Sequence, residues 1–146
     1  MATDWILRVG DGENFMNSSD YRIWGIQAKT SPAGKYFVKN VNPGDRLWFV
    51  TSNSKGKIIA LATYVSHNDR VRGTTMSNEE LGWTGEGPDW ISNIEVHYTH
   101  LHLLSNCNLL TNLKGNVTVR KYKPETCSVN LPVEYENILR SWDDCF

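Results

Sequence analysis

The chain has 146 residues, 40% hydrophobic and 21% charged, with a formal net charge of −1. That is the size of one domain, able to bury roughly two-thirds of its unfolded surface, and the charge balance excludes a globally basic nucleic-acid binder, so any such partner has to be held by a local patch. The longest apolar run, IIALA at 58–62, falls far short of a membrane-spanning helix, and no segment resembles a signal peptide, so an intracellular chain, cytoplasmic or nuclear, is expected.

In chain order, the strand signals are WILRV (5–9), YRIWGI (21–26), RLWFV (46–50), IIALATYV (58–65), NIEVHY (93–98) and NVTVRKY (116–122). Each is short, rich in β-branched and aromatic residues, and bounded by Gly, Asn, Asp or Pro. NPGD at 42–45 is a tight turn into the third. TSNSKGK joins the third and fourth with a Ser–Lys–Gly centre suited to a hairpin. Helix is expected only in a short piece within 12–21 and in PVEYENILRSW (132–142), which starts on a proline and spaces Val133, Ile138, Leu139 and Trp142 along one face. The stretch 66–92 is the least regular, and connections of that length are usually functional or disordered. These elements predict a single α+β domain built on a curved, mostly antiparallel sheet or small barrel flanked by short helices.

Cys107, Cys127 and Cys145 form no CxxC pair and suit neither a disulfide framework nor a structural zinc site. His97, His100 and His102 invite a metal reading. On a regular strand His100 and His102 share a face while His97 points the other way. The apolar phase changes from Ile94, Val96 and Tyr98 to Leu101 and Leu103, which predicts a bulge near Thr99. With no carboxylate or thiol at a ligand-like spacing, no metal and no cofactor are expected. No Ser–His–Asp signature, phosphate loop or tight carboxylate–histidine grouping supports an enzyme.

Trp5, Trp48 and Trp142 stand in apolar runs that suit a core. Trp83 and Trp90 stand in LGWTGEGPDW, a loop without apolar periodicity, where an indole either caps the core edge or lines a site. Indole faces stack flat bases at ~1–3 kcal/mol each. An asparagine at the rim offers both a donor and an acceptor to a base edge.

WILRVGDGENFMNSSDYRIWGIQA, then GDRLWFVTSNSKGKIIALATYV, then GWTGEGPDWISNIEVHYTHLHLL resemble the YTH domain and its relative the EVE domain, both of the PUA-like superfamily. The resemblance covers about residues 5–122. It implies a PUA-like fold and a reader of a modified base, N6-methyladenosine in single-stranded RNA first, with an EVE-type reader of another base, such as a flipped-out modified cytosine in DNA, as the alternative. A ribonuclease-like member of the same superfamily is a further alternative. Carried over by position, Trp24, Trp83 and Trp90 form an aromatic cage, Asn14 bonds the base edge, the Gly25 carbonyl receives the modified amino group, and Arg8 lies near the ligand backbone. The spacing of Trp83 and Trp90 is wide for the YTH pattern, and basic residues are sparse. The expected unit is a monomer.

Overall fold

A computed structural model of the protein describes residues 2–51, 57–85, 92–104, 119–127 and 129–143. The six β-branched and aromatic segments become β1 (Asp4–Arg8), β2 (Ile23–Ile26), β3 (Arg46–Val50), β4 (Ile58–Asp69), β5 (Ile94–Leu103) and β6 (Val119–Lys121). Three helices accompany them, α1 (Glu13–Ser18), α2 (Pro32–Asn40) and α3 (Leu131–Asp143). The strands form one sheet in the order β2-β5-β4-β3-β1-β6, curled into a half-barrel. Every pairing is antiparallel except β1 with β3, so the α+β expectation of a curved, mostly antiparallel sheet holds.

Alternation along β1 shows how the sheet is filled. Trp5 and Leu7 join a large cluster with Phe15 of α1, Phe37 of α2, and Phe49 and Val96 of the sheet, on one face. Ile6 turns to the other face and joins Trp48, Ile58, Leu61 and Leu131, with Tyr135 and Ile138 of α3 packed against them. Strands buried on both faces read as continuous apolar runs, which is how WILRV and RLWFV look. Trp5 and Trp48 are core residues, as their contexts suggest, at 1% and 0% exposure.

The parallel pair is held by a reciprocal exchange. The Trp48 indole N–H of β3 donates to Asp4 of β1 at 2.7 Å, and the Trp5 indole N–H of β1 donates to Asp45, just before β3, at 3.0 Å. Asp4 also receives Arg46 through two bonds of 2.7 Å, and Asp45 accepts the backbone N–H groups of Thr3 and Asn42. Burying these carboxylates is tolerable because their oxygens find donors.

The expected β3–β4 hairpin forms, and Thr51 N–H donates to the Lys57 carbonyl at its base. The short helix in 12–21 and the terminal helix also form. Helix α2 was not foreseen. It starts at Ser31, whose hydroxyl accepts from Gly34 N–H, with Pro32 in the first turn. Gly34 sits where a Cβ would lie 1.8 Å from the Gln27 carbonyl oxygen, so a residue that weakens helix propensity is the one that lets this helix dock. Residues 116–118 of the sixth expected strand, the hairpin centre at 52–56, Cys107 and Cys145 lie outside the described residues, as does the side chain of Trp142.

Candidate functional site

Beyond β1 the chain turns at Gly10–Gly12 and enters α1, whose N-cap is Gly12 at φ 93°, a left-handed conformation that glycine adopts without strain. This turn, the first residues of α1, Trp24 of β2 and the Thr84–Gly85 loop enclose a cavity of about 330 Å³, within the size range of small-ligand sites. Two residues singled out by sequence, Asn14 and Trp24, line it together.

Asn14 has a structural task there. Its Oδ1 accepts from Thr84 N–H at 2.9 Å, and its Nδ2 donates to the Thr84 carbonyl at 2.7 Å. Asn17, one turn on, donates to the Gly82 carbonyl at 2.9 Å. Helix α1 therefore grips the 82–84 loop by its backbone. The Thr84 hydroxyl also donates to Asn14 Oδ1, at 3.4 Å, while the amide nitrogen carries a second hydrogen, so Asn14 retains a donor toward the cavity while clamping the loop.

Trp24 is half-buried, with Phe15 edge-on at 6.0 Å and Trp83 edge-on at 5.7 Å between ring centroids. A base slipped between two parallel rings needs them about 7 Å apart, twice a carbon–carbon contact. The interplanar angle of 74° is a packed contact and not a slot. Trp83 is 6% exposed and lies under the Arg70 guanidinium, 4.8 Å above its ring. Arg70 in turn donates to the Asn78 side chain and the Met76 carbonyl. Trp83 thus backs Trp24 and does not line the cavity. Gly25 explains how the ring fits, because a Cβ at this position would stand 2.8 Å from Trp83 Cη2 and 2.7 Å from Ser92 Cβ. Trp90 lies outside the described residues.

Strand geometry orients the Gly25 carbonyl. The Arg22 carbonyl accepts from Tyr98 N–H of the neighbouring strand, and the Ile23 carbonyl faces the other way, 3.2 Å from the Ser18 hydroxyl. Alternation gives Gly25 the outward side of Ile23, on the edge of β2 away from β5. Arg8 is not brought into this group. It pairs in register with Val50 and shares the face of Ile6, across the sheet from the cluster against which Trp24 packs. The cavity is rimmed instead by Asp11 and Glu13. Neither they nor Thr84 stand out in the sequence, because the contact between Asn14 and Thr84, 70 residues apart, leaves no local signal.

The expected bulge is present. Leu61 pairs with His102 and Thr63 with Thr99, so β5 has an extra residue, and His100 takes a left-handed φ of 51°. The shift carries Leu101 to the larger cluster and leaves His100 and His102 on the opposite face, where they line a second cavity of about 390 Å³ under α3. Burial, then the charge of His100, lowers the His102 pKa. His97, two residues from Glu95, reaches that buried carboxylate with Nε2 at 3.0 Å and Asn68 Oδ1 at 2.7 Å, a carboxylate–histidine contact not anticipated from the sequence. Among the described residues no three His, Cys, Asp or Glu converge as a metal site. No described helix is long and apolar enough to cross a membrane.

No family model and no curated protein matches the chain. Its fold is similar to that of solved structures. A hypothetical protein from Leishmania major superposes with a TM-score of 0.53 at 14% identity, over 99% of this chain and 96% of its own. A protein from Pseudomonas putida, determined by X-ray crystallography, gives 0.53 at 11% identity, over 84% of this chain and 93% of its own. At such identities the likeness is one of fold.

Proposed function

We propose that the protein is a reader of a modified nucleobase of the YTH/EVE type within the PUA-like superfamily, with the base stacked on Trp24. The observation that carries the reading is the cavity at the head of α1, where Trp24 and Asn14, chosen from sequence alone, meet around a volume that suits a small flat ligand. The remaining donor of the Asn14 amide reads the base edge, and the outward Gly25 carbonyl takes an amino hydrogen. Trp83 holds Trp24 in place from behind, so stacking is one-sided in this conformation. N6-methyladenine in single-stranded RNA is the first ligand to test, and a modified cytosine flipped out of DNA the second. The activity is binding without catalysis, by a monomer.

A second reading has its own support. Asp11 and Glu13 at the rim repel phosphates and favour a cation, so a methylated ammonium group of a peptide also suits an aromatic wall beside carboxylates. The experiment is a panel of short oligonucleotides, each with one modified base against its unmodified control, with trimethyl-lysine peptide as competitor and labelled RNA followed for cleavage. The base reading requires roughly ten- to a hundredfold preference for one modified oligonucleotide, lost in Trp24→Ala. Equal binding of all oligonucleotides, or capture of the peptide alone, refutes it.

A further inference from the structure

The second cavity lies away from Trp24, on the face covered by α3, between that helix and the bulged part of β4–β5. Its polar lining comes from four elements: Arg46 of β3, Thr63 of β4, His100 and His102 of β5, and Tyr135 of α3. All five can donate a hydrogen bond, and no carboxylate is among the described lining residues. Behind the cavity, Asp4 engages one edge of the Arg46 fork through Nε and Nη2. The guanidinium, 4.1 Å above the Tyr135 ring, carries more N–H groups than Asp4 and Tyr135 take up.

The backbone adds a second reason to regard these groups as a set. His100 is one of the two non-glycine residues with positive φ among those described, and it holds that conformation inside a strand. Without the extra residue, the alternation of Ile94, Val96 and Tyr98 would carry His100 inward with the apolar cluster. The bulge brings both imidazoles outward, facing Arg46 and Thr63.

We infer that this cavity is an anion site for a phosphate group, bound by His100, His102, Arg46, Thr63 and Tyr135. A tetrahedral oxyanion accepts several hydrogen bonds from different directions, which is what donors from four elements supply. Because Asp4 offsets the charge of Arg46, the positive charge must come from the imidazoles, and binding tightens as they protonate. Among the described lining residues, the charged and titratable groups beside them are Arg46, with Asp4 behind it, and Tyr135; β4 contributes Leu61, Ala62 and Thr63, all uncharged. The phosphate can be a free monoester or a link of a nucleic-acid strand.

The test is a pH titration of the full chain by imidazole ¹H–¹⁵N correlation spectroscopy, with inorganic phosphate against chloride at equal ionic strength. Phosphate should raise the apparent pKa of both His100 and His102 by roughly half a unit or more, while His67 and His97 stay within their chloride values. His100→Asn, which tolerates the left-handed backbone, and His102→Gln should each weaken phosphate binding about tenfold. An unmodified oligonucleotide that moves the same two signals at lower concentration than phosphate assigns the site to a nucleic-acid backbone, and one that moves neither assigns it to a free phosphate. If phosphate shifts His100 and His102 no more than His67 and His97, the proposal is overturned.

Discussion

Adding one methyl group at Gly25 tests whether Trp83 backs the candidate site as described. In Gly25→Ala the new Cβ stands 2.7 Å from Ser92 Cβ and 2.8 Å from Trp83 Cη2, about 0.7–0.8 Å inside ordinary carbon contact. Trp83 has little room to yield, since Trp24 stands edge-on at 5.7 Å and Arg70 covers its face at 4.8 Å. Overpacking of this kind costs about 1–3 kcal/mol. A value of 2 lowers Tm by roughly 4–8 °C in a chain of this size. The assay is urea unfolding, followed by circular dichroism, of Gly25→Ala, Trp83→Leu and the double variant. Truncating the ring removes one of the two clashes, so the penalties should fall short of additive by about 1 kcal/mol. The main-chain carbonyl is unaltered, so weaker ligand binding by Gly25→Ala reports the displaced ring. A Gly25→Ala protein within 0.5 kcal/mol of the parent, or strictly additive penalties, refutes the packing argument.

Three further outcomes follow from the same structure. Trp24→Ala should weaken the preferred oligonucleotide by ~1–3 kcal/mol in a binding titration, whereas Trp48→Ala, a fully buried ring that also bonds Asp4, should remove about 3–5 kcal/mol of folding stability in urea unfolding. Asn14→Asp keeps the acceptor for Thr84 N–H but loses the donor to its carbonyl, so it should destabilise the 82–84 loop and speed amide exchange there, with little effect on amides of β3. The pKa values of His67 and His102 are both lowered from 6.5, by burial first, so between those folded values and about 6.5 the unfolded chain binds more protons. Tm should therefore fall as pH drops below about 6.5, and His67→Gln/His102→Gln should flatten that slope.

What the sequence discloses is what local pattern encodes. RLWFV is β3 residue for residue, and the bulge in β5 was visible as a change of apolar phase because a strand's side-chain period of two tolerates no drift. Helix α2 escaped because Gly34 and its aromatic neighbours Tyr36 and Phe37 score poorly as helix, while the reason for the glycine, the Gln27 carbonyl, lies in the tertiary packing. At the site, Trp24 and Asn14 were found through family resemblance. That resemblance also nominated Arg8, which strand alternation sends to the opposite face. The acidic rim of Asp11 and Glu13 lay in a turn that reads as ordinary solvated polarity, and only the closing of the Thr84 loop makes it a wall.

The exchange of Asp and Trp between β1 and β3 bears on the order of folding events. Asp4 and Arg46 are 42 positions apart, and the chain between them must supply α1, β2 and α2 before the parallel pair can close. Closing so long a loop is entropically unfavourable until its contacts are made, so this step belongs late on the folding route, after the β3–β4 hairpin. A slip of the two strands by one residue would turn each indole to the wrong face and take the indole donor from each buried aspartate, so only one register is stable enough to persist. Two of the chain's six tryptophans thus act as a proofreading latch at the parallel joint of the sheet, and the burial of their fluorescence times the moment at which it shuts.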